Sequence, residues 1–270
     1  MTGTGNAPEK ASPAARPVWP FERVFWPALS AAALLGIWQA AVKLSATDVF
    51  PGPLAVVAGV RELAEKGLLW SYISDSLMRV AAGYGLALAI GIPLGAFLGW
   101  NESAAAAANP LIQLLRPISP LAWIPVAIVL FGVGNVATIF LIFLASLFPV
   151  LVATMNGVRN ISVTHLAAGR NFGLSPLALF ARVIFPGALP NVLTGLRIAL
   201  GVAWVVVVAA EMIAVNSGLG YLVIDARNAG KRYDLVVAAM LLIGLIGLGL
   251  NVMMLRMERL RALRWGFRTE

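Results

Sequence analysis

The sequence predicts an all-α polytopic membrane protein with about six transmembrane helices, on three observations. The first is composition: 60% of the 270 residues are hydrophobic and 12% charged, with a mean hydropathy of +0.87, against roughly 45–50% apolar content in a soluble domain. The second is run length. A crossing takes about 20 apolar residues to cover roughly 30 Å of hydrocarbon, and the apolar material here suffices for about six. The third is the placement of positive charge. Arginines cluster in the N-terminal arm (Arg16, Arg23), in the interval holding Arg159, Arg170 and Arg182, and at the end of the chain (Arg256, Arg259, Arg261, Arg264, Arg268). The positive-inside bias puts all three groups in the cytoplasm, which requires an even number of crossings. The net charge of +8, from 20 basic and 12 acidic residues, therefore records orientation in a bilayer and not a nucleic-acid partner.

Residues 1–22, rich in Ala, Pro, Gly and Thr without periodicity, read as a disordered cytoplasmic arm, and 23–270 as the transmembrane domain. The run from about Phe25 to Leu44 is the first crossing; its distance from the start and the lack of a clear cleavage site favour it over a signal peptide. Pro51 and Pro53 then open an amphipathic helix, with Leu54, Val57 and Ala58 apolar and Arg61, Glu62, Glu65 and Lys66 charged, expected on the outer membrane surface. The second crossing, about Asp75 to Trp100, carries Gly83, Ala87, Gly91, Gly95 and Gly99 at every fourth position. Small residues at that period let another helix approach closely, either within the chain or from a second subunit.

Between Glu102 and Gly134, Pro110, Pro117, Pro120 and Pro125 interrupt an apolar run, so the third crossing is expected to be kinked or broken. A membrane tolerates a broken helix only where protein or a water-filled cavity satisfies the freed backbone groups. Arg116, Pro117 and Pro120 are therefore candidates for lining a pathway. An arginine at mid-membrane costs roughly 2.5–3.5 kcal/mol and usually faces a cavity or a partner; near the headgroups it would snorkel. Val136 to Met155 makes the fourth crossing. The fifth, Pro190 to about Val215, carries Arg197 near its inner end as a snorkelling residue and Glu211 near its outer end. Glu211 is a further pathway candidate that either pairs with a cation or reaches the outer interface. The segment from Asn216 to Asp234 is expected outside, partly re-entrant, and Leu235 to Leu255 is the sixth crossing.

The interval from Ser162 to Pro190 carries helix signals of its own. Ser162 or Thr164 can cap a short helix through Leu166, Ala167 and Ala168, which Gly173 ends in a left-handed conformation. Ser175 followed by Pro176 starts a second helix, with Leu177, Phe180, Ala181 and Ile184 on one apolar stripe until Pro186 and Pro190 break the run. Two short basic helices with apolar faces need a partner surface: lipid headgroups, or a groove on a soluble protein.

The chemistry that is missing narrows the function. There is no cysteine, hence no thiolate nucleophile and no Cys-based metal site. The single histidine, His165, reads as a surface or docking residue and cannot build a metal site alone. No phosphate loop is present: at Gly230-Lys231 the next residue is Arg232 where Ser or Thr is needed, and Asp225 stands where the first glycine belongs. The chain is therefore not expected to bind ATP, any cofactor or a metal, or to be an enzyme. Ion-coupled carriers generally need acidic groups within the membrane, and the crossings offer only Glu211. That favours an external motor over a self-contained secondary carrier or channel, the alternative reading.

The loop spacing resembles the EAA loop of ABC importer permeases: Ala167-Ala168-Gly169, then Gly173, then Val183-Ile184-Phe185-Pro186. The family's glutamate is absent, with Ala167 in its place and Arg170 and His165 as polar neighbours. The flanking stretches LLRPISPLAWIPVAIVLFGVG and LTGLRIALGVAWVVVVAAEMIAVNSGLGYLVIDAR are similar to the permease subgroup for sulfonates, taurine, nitrate, bicarbonate or thiamine precursors, over roughly Ser71 to Trp265. The resemblance implies a type I, methionine-importer-like permease fold in a bacterial inner membrane, with both termini cytoplasmic. It implies a second copy of the chain, two cytoplasmic ATP-binding subunits and an extracytoplasmic solute-binding protein as partners. It places His165, Ala167, Ala168, Gly169, Arg170, Gly173, Leu177 and Pro186 in an ATPase-docking loop over 162–190. The transported solute would be small and often anionic, which Arg116 would suit.

Overall fold

The structure, a computed structural model, describes residues 20–44, 50–228 and 230–258, and every regular element among them is helical. The chain divides into two compact units, one ending at Pro53 and one beginning at Leu54. The first holds α1 (Pro20–Leu44), whose Ala28–Leu44 stretch is a shorter apolar helix. Most of the arm expected at 1–22 lies outside the described residues, as do the arginines from Arg259 onward, and α1 already begins at Pro20.

The second unit contains α2 (Pro53–Glu65), α3 (Leu68–Trp100), α4 (Glu102–Leu115), a 3-10 turn at Pro120–Trp123, and α5 (Ile124–Phe131). It continues through α6 (Asn135–Arg159), α7 (Val163–Asn171), α8 (Pro176–Leu179), a π-turn at Phe180–Ile184 and α9 (Phe185–Ala214), and ends with α10 (Leu219–Asn228) and α11 (Tyr233–Glu258). By length and composition, four described helices can cross a membrane: α3, α6, the continuous run Pro176–Ala214, and α11. The pair formed by α4 and Pro120–Phe131, bent by 82°, would be a fifth.

Helices α3, α6 and α9 form the centre, and the fourfold stripe of small residues explains how. A Cβ on Gly83 would come 2.7 Å from the Ile139 carbonyl oxygen, one on Gly95 2.5 Å from that of Leu151, and one on Gly99 2.8 Å from that of Met155. Gly91 meets Val150 in the same way, and Ala87 is fully buried. The stripe is thus spent inside the chain, on α6, and four turns of backbone approach follow from it. Helix α9 also seats on α6, through Gly157 and Gly195. It is tied to α3 by the Tyr84 hydroxyl donating to the Leu196 carbonyl at 3.0 Å. The indole of Trp204 donates to the Ile243 carbonyl and brings α11 against α9.

Several local expectations are corrected. Pro186 and Pro190 do not end the helix that Pro176 starts. The Phe185 N–H reaches back to the Phe180 carbonyl in the π-turn, and the Thr194 hydroxyl donates to the Pro190 carbonyl at 3.1 Å, so helical bonding continues on both sides of the prolines. The result is one helical run of 39 residues. Pro110 likewise sits inside α4, and the break falls at Pro117 to Ser119. On α2 the buried face is Val56, Gly59 and Leu63, packed toward Leu235 and Leu222, while Leu54 and Val57 are exposed. Arg197 is not a free snorkelling residue: it pairs with Glu258 of α11 at 3.1 Å.

Glu211 is 0% exposed and lines none of the cavities described below; of the two expectations for it, pairing with a cation is the one the structure shows. Its partner is Arg79 of α3, itself 1% exposed, at 2.7 Å. Glu211 also accepts from the Ser76 hydroxyl and the Gly220 N–H, and Arg79 donates to Asn135, to the Ser217 carbonyl and to its hydroxyl. The turn between α9 and α10 closes over this pair, with Gly218 at φ +100 where a Cβ would strike the carboxylate. At the surface nearby, Arg232 bridges Glu62 of α2 and Asp234 of α11.

Three outcomes test this packing. Gly95→Leu should destabilise the solubilised protein by about 1–3 kcal/mol through overpacking, whereas Gly85→Ala, whose Cβ meets nothing within 4 Å, should be neutral or better in thermal unfolding. Arg79→Met should cost about 3–5 kcal/mol because it strands a buried carboxylate, and adding Glu211→Gln should recover most of that loss. The Glu62 carboxyl is held at about 2 instead of 4.5, by Arg232 first and then Lys66. Its contribution is present above the ordinary carboxylate value and is lost as pH falls toward the depressed one. The difference in thermal stability between wild type and Glu62→Gln should therefore be level down to about pH 5 and shrink below it, and salt should reduce it because the pair is exposed.

Candidate functional site

Two features combine charge, cavity and unpaired side chains. The first is the connection between α6 and α9. Ser162 caps α7 by accepting from the Thr164 N–H, Gly173 ends the helix at φ +75, and Ser175 caps α8 by accepting from the Ala178 N–H. The sequence placed these signals correctly. The apolar stripe beyond them is different, because the π-turn carries one extra residue per turn and rotates the faces. The buried positions are Leu179, Ile184 and Ala188, packed with Ala96 of α3 and Val158 of α6, and Phe180 is partly buried against Trp100. Part of the face expected to await another molecule is thus covered by the chain's own helices.

What the hairpin leaves bare is another set. Leu177 is 79% exposed, as expected, and is joined by Val163 at 79% and Phe172 at 86%. The last two were not singled out from the sequence, although an aromatic residue next to a left-handed glycine in a short loop was a usable signal. His165, Ala167, Ala168 and Arg170 are exposed, Pro186 is half-buried, and Gly169 is buried where a Cβ would strike the Leu179 side chain. Arg170 shares a cavity of about 620 Å³ with Arg159 and Glu102, between the hairpin and the ends of α3 and α6.

The second feature is the break between α4 and α5. Arg116 is the last residue before it and lies beside Pro149, midway along α6. Two cavities meet at this arginine. One, of about 320 Å³, is lined by Trp123, Phe140, Leu144, Phe148 and Val202 and is apolar. The other, of about 420 Å³, opens toward the hairpin end of α6 and carries Asn156, Asn160, Asn191 and Thr194. Pro120 lines the apolar cavity, and Pro117 is exposed at the bend itself. The structure therefore brings Arg116 together with polar residues of α6 and α9 that the sequence reading did not single out. It separates Arg116 from Glu211.

Comparison with known proteins agrees with this architecture. The family described as binding-protein-dependent transport system inner membrane component matches residues 91–264. A nitrate import permease protein of Leptolyngbya laminosa is 36% identical over 230 residues, covering 82% of this chain and 81% of that one. A bicarbonate transport system permease protein of Synechococcus elongatus is 38% identical over 239 residues, covering 83% and 85%. A chain of the MetNI methionine ABC transporter, solved in inward-facing conformations, superimposes with a TM-score of 0.63 at 18% identity, covering 76% of this chain and 99% of that one, and shares the fold. With its central helices, its broken span and its capped hairpin all inside or beside the matched region, the chain belongs to the family of inner membrane components of binding-protein-dependent transport systems.

Proposed function

We propose that the chain is the transmembrane subunit of an ATP-driven importer for a small anion. Two copies would flank a central pathway, each hairpin seated on a cytoplasmic ATP-binding subunit that hydrolyses the nucleotide, with an extracytoplasmic binding protein delivering the solute. The observation that carries this reading is the exposure of Val163, Phe172 and Leu177 on a hairpin that is otherwise capped, ordered and packed onto the spans. Large apolar side chains held out by a rigid support are what a helix-in-groove interface uses as anchors. Such an interface accounts for the short basic helices better than a headgroup layer does, because Leu179 and Ile184, which would otherwise add to a lipid-facing stripe, point back into the chain.

The hairpin also has a mechanical connection inward. Leu177 belongs to the same helical run as Asn191 and Thr194, so displacement of the docked end by closing ATPase subunits would be transmitted to the polar cavity. Nitrate and bicarbonate are the solutes named for two relatives, and a cavity with one guanidinium and several amides suits such an anion. Loss of the loop glutamate at Ala167 leaves docking to the apolar anchors, with Arg170 and His165 as exposed polar neighbours.

Detergent-solubilised complex purified through this chain should retain a cytoplasmic ATPase when the two are co-expressed. Leu177→Asp and Phe172→Asp should each weaken retention by about tenfold or more, roughly 1.4 kcal/mol or above, without changing the melting temperature of the chain. Retention unaffected by both changes, or nitrate uptake into liposomes by this polypeptide alone without nucleotide, would overturn the reading.

A further inference from the structure

The carboxamides of Asn156, Asn160 and Asn191 and the guanidinium of Arg116 make no side-chain hydrogen bond or ion pair among the described residues. All four are exposed on this chain, in contrast to Arg79 and Glu211, which are sealed and paired with each other. Arg116, Asn156 and Asn191, on the break, α6 and α9, find no partner in hydrocarbon, and Asn160 follows them at the end of α6. Their partners are water, a solute or a second copy of the chain.

Their charge is one-sided. Each carboxamide offers two N–H donors beside a carbonyl acceptor, and the guanidinium offers five donors in a planar fork, while the cavity lining contains no carboxylate and no aromatic ring. One cation among neutral donors matches one negative charge, and a planar fork matches two oxygens of a planar group. Beyond Arg116 the space turns apolar, with Trp123, Phe140 and Phe148, so this arginine is the polar group at the boundary between the two cavities.

We propose that Arg116, Asn156, Asn160, Asn191 and Thr194 form a binding site for a small, singly charged planar oxyanion, with Arg116 as the charged anchor at its deep end. The solute class rests on the proposed importer function, but occupancy of the site by an anion does not require an attached ATPase. The site ties a substrate class to positions in this chain, where the binding protein alone would otherwise set selectivity.

The native chain has no cysteine, so Asn156→Cys introduces one thiol at the cavity wall. In nanodiscs holding the full chain, that thiol should react with water-soluble thiosulfonates, and the anionic reagent should outpace its cationic analogue by about tenfold because a cleft of one sign concentrates counter-ions. Adding Arg116→Gln should bring the ratio to about one. Sodium nitrate, replacing gluconate at constant ionic strength, should slow the labelling of Asn156→Cys and have no effect once Arg116 is Gln. Arg116→Lys should keep the reagent preference and weaken the nitrate protection, since it retains charge without the fork. Ile198→Cys, on an exposed part of the same wall, repeats the measurement should Asn156→Cys fold poorly.

A thiol that neither reagent reaches, or one labelled without charge preference and without nitrate protection, overturns the proposal. The importer reading has its own readout in ATPase retention. A site that protects without a bound ATPase leaves the site standing and the motor in question, and the reverse result does the opposite.

Discussion

The contact on which the rest of the molecule depends is the backbone-to-backbone approach of α3 and α6. In hydrocarbon there is no hydrophobic gain from pressing one apolar helix against another, so association rests on van der Waals packing and on whatever polar contacts close approach permits. Gly83, Gly91, Gly95 and Gly99 remove the side chains that would hold the two axes apart, and the carbonyls of Ile139, Leu151 and Met155 fill the space. With α6 fixed, α9 has a surface to seat on through Gly157 and Gly195, and the hairpin has the ends of both α3 and α6 to rest against. Side chains added along that stripe would spread the centre of the bundle and displace every cavity wall built from it.

On this frame, polar groups within the spans are handled in two ways. Arg79 and Glu211 are closed off from solvent and saturated by Ser76, Asn135, Ser217 and the Gly220 N–H. A pair buried in this fashion is weak evidence for stability in itself, yet breaking it is costly, and here it locks the α9–α10 turn to α3. Arg116 and the three asparagines are left open. The two arrangements use similar residues, and the difference lies in whether neighbouring helices enclose them. Glu211 and Arg79 meet between packed helices, whereas Arg116 is at an 82° bend and Asn156 and Asn191 are on exposed faces of α6 and α9.

Much of this was legible in the sequence, and what was not has identifiable causes. The glycine stripe, the caps at Ser162 and Ser175 and the left-handed Gly173 are local signals, and the structure follows them. The choice of Leu177 as a stripe residue assumed 3.6 residues per turn, but burial runs from Leu179 to Ile184, a step of five imposed by the π-turn. On α2, two apolar faces were available, and Leu235 lying against Gly59 selected the one not chosen. Arg79 was missed because its partner is 132 positions away and nothing in its own segment marks it. The asparagines near Arg116 were missed for the same reason: each is unremarkable on its own helix, and only the fold gathers them.

The run from Pro176 to Ala214 joins these parts physically. At 39 residues and about 1.5 Å per residue it is roughly 58 Å long, with Leu177 at one end, Asn191 and Thr194 along the polar cavity and Glu211 near the other end. On the proposed function, a rod anchored at Glu211 and pushed at Leu177 would pivot more than slide, with the largest displacement at the hairpin and an intermediate one at the cavity. The π-turn at Phe180–Ile184 is the place where the rod departs from regular α-helical bonding, and π-turns of this kind recur at functional sites. On the proposed function, its stiffness sets how much of the motion imposed on the docked end reaches Asn191. The prolines at 186 and 190, expected to end the helix, lie inside it just after this turn, and each removes one N–H from the helical ladder.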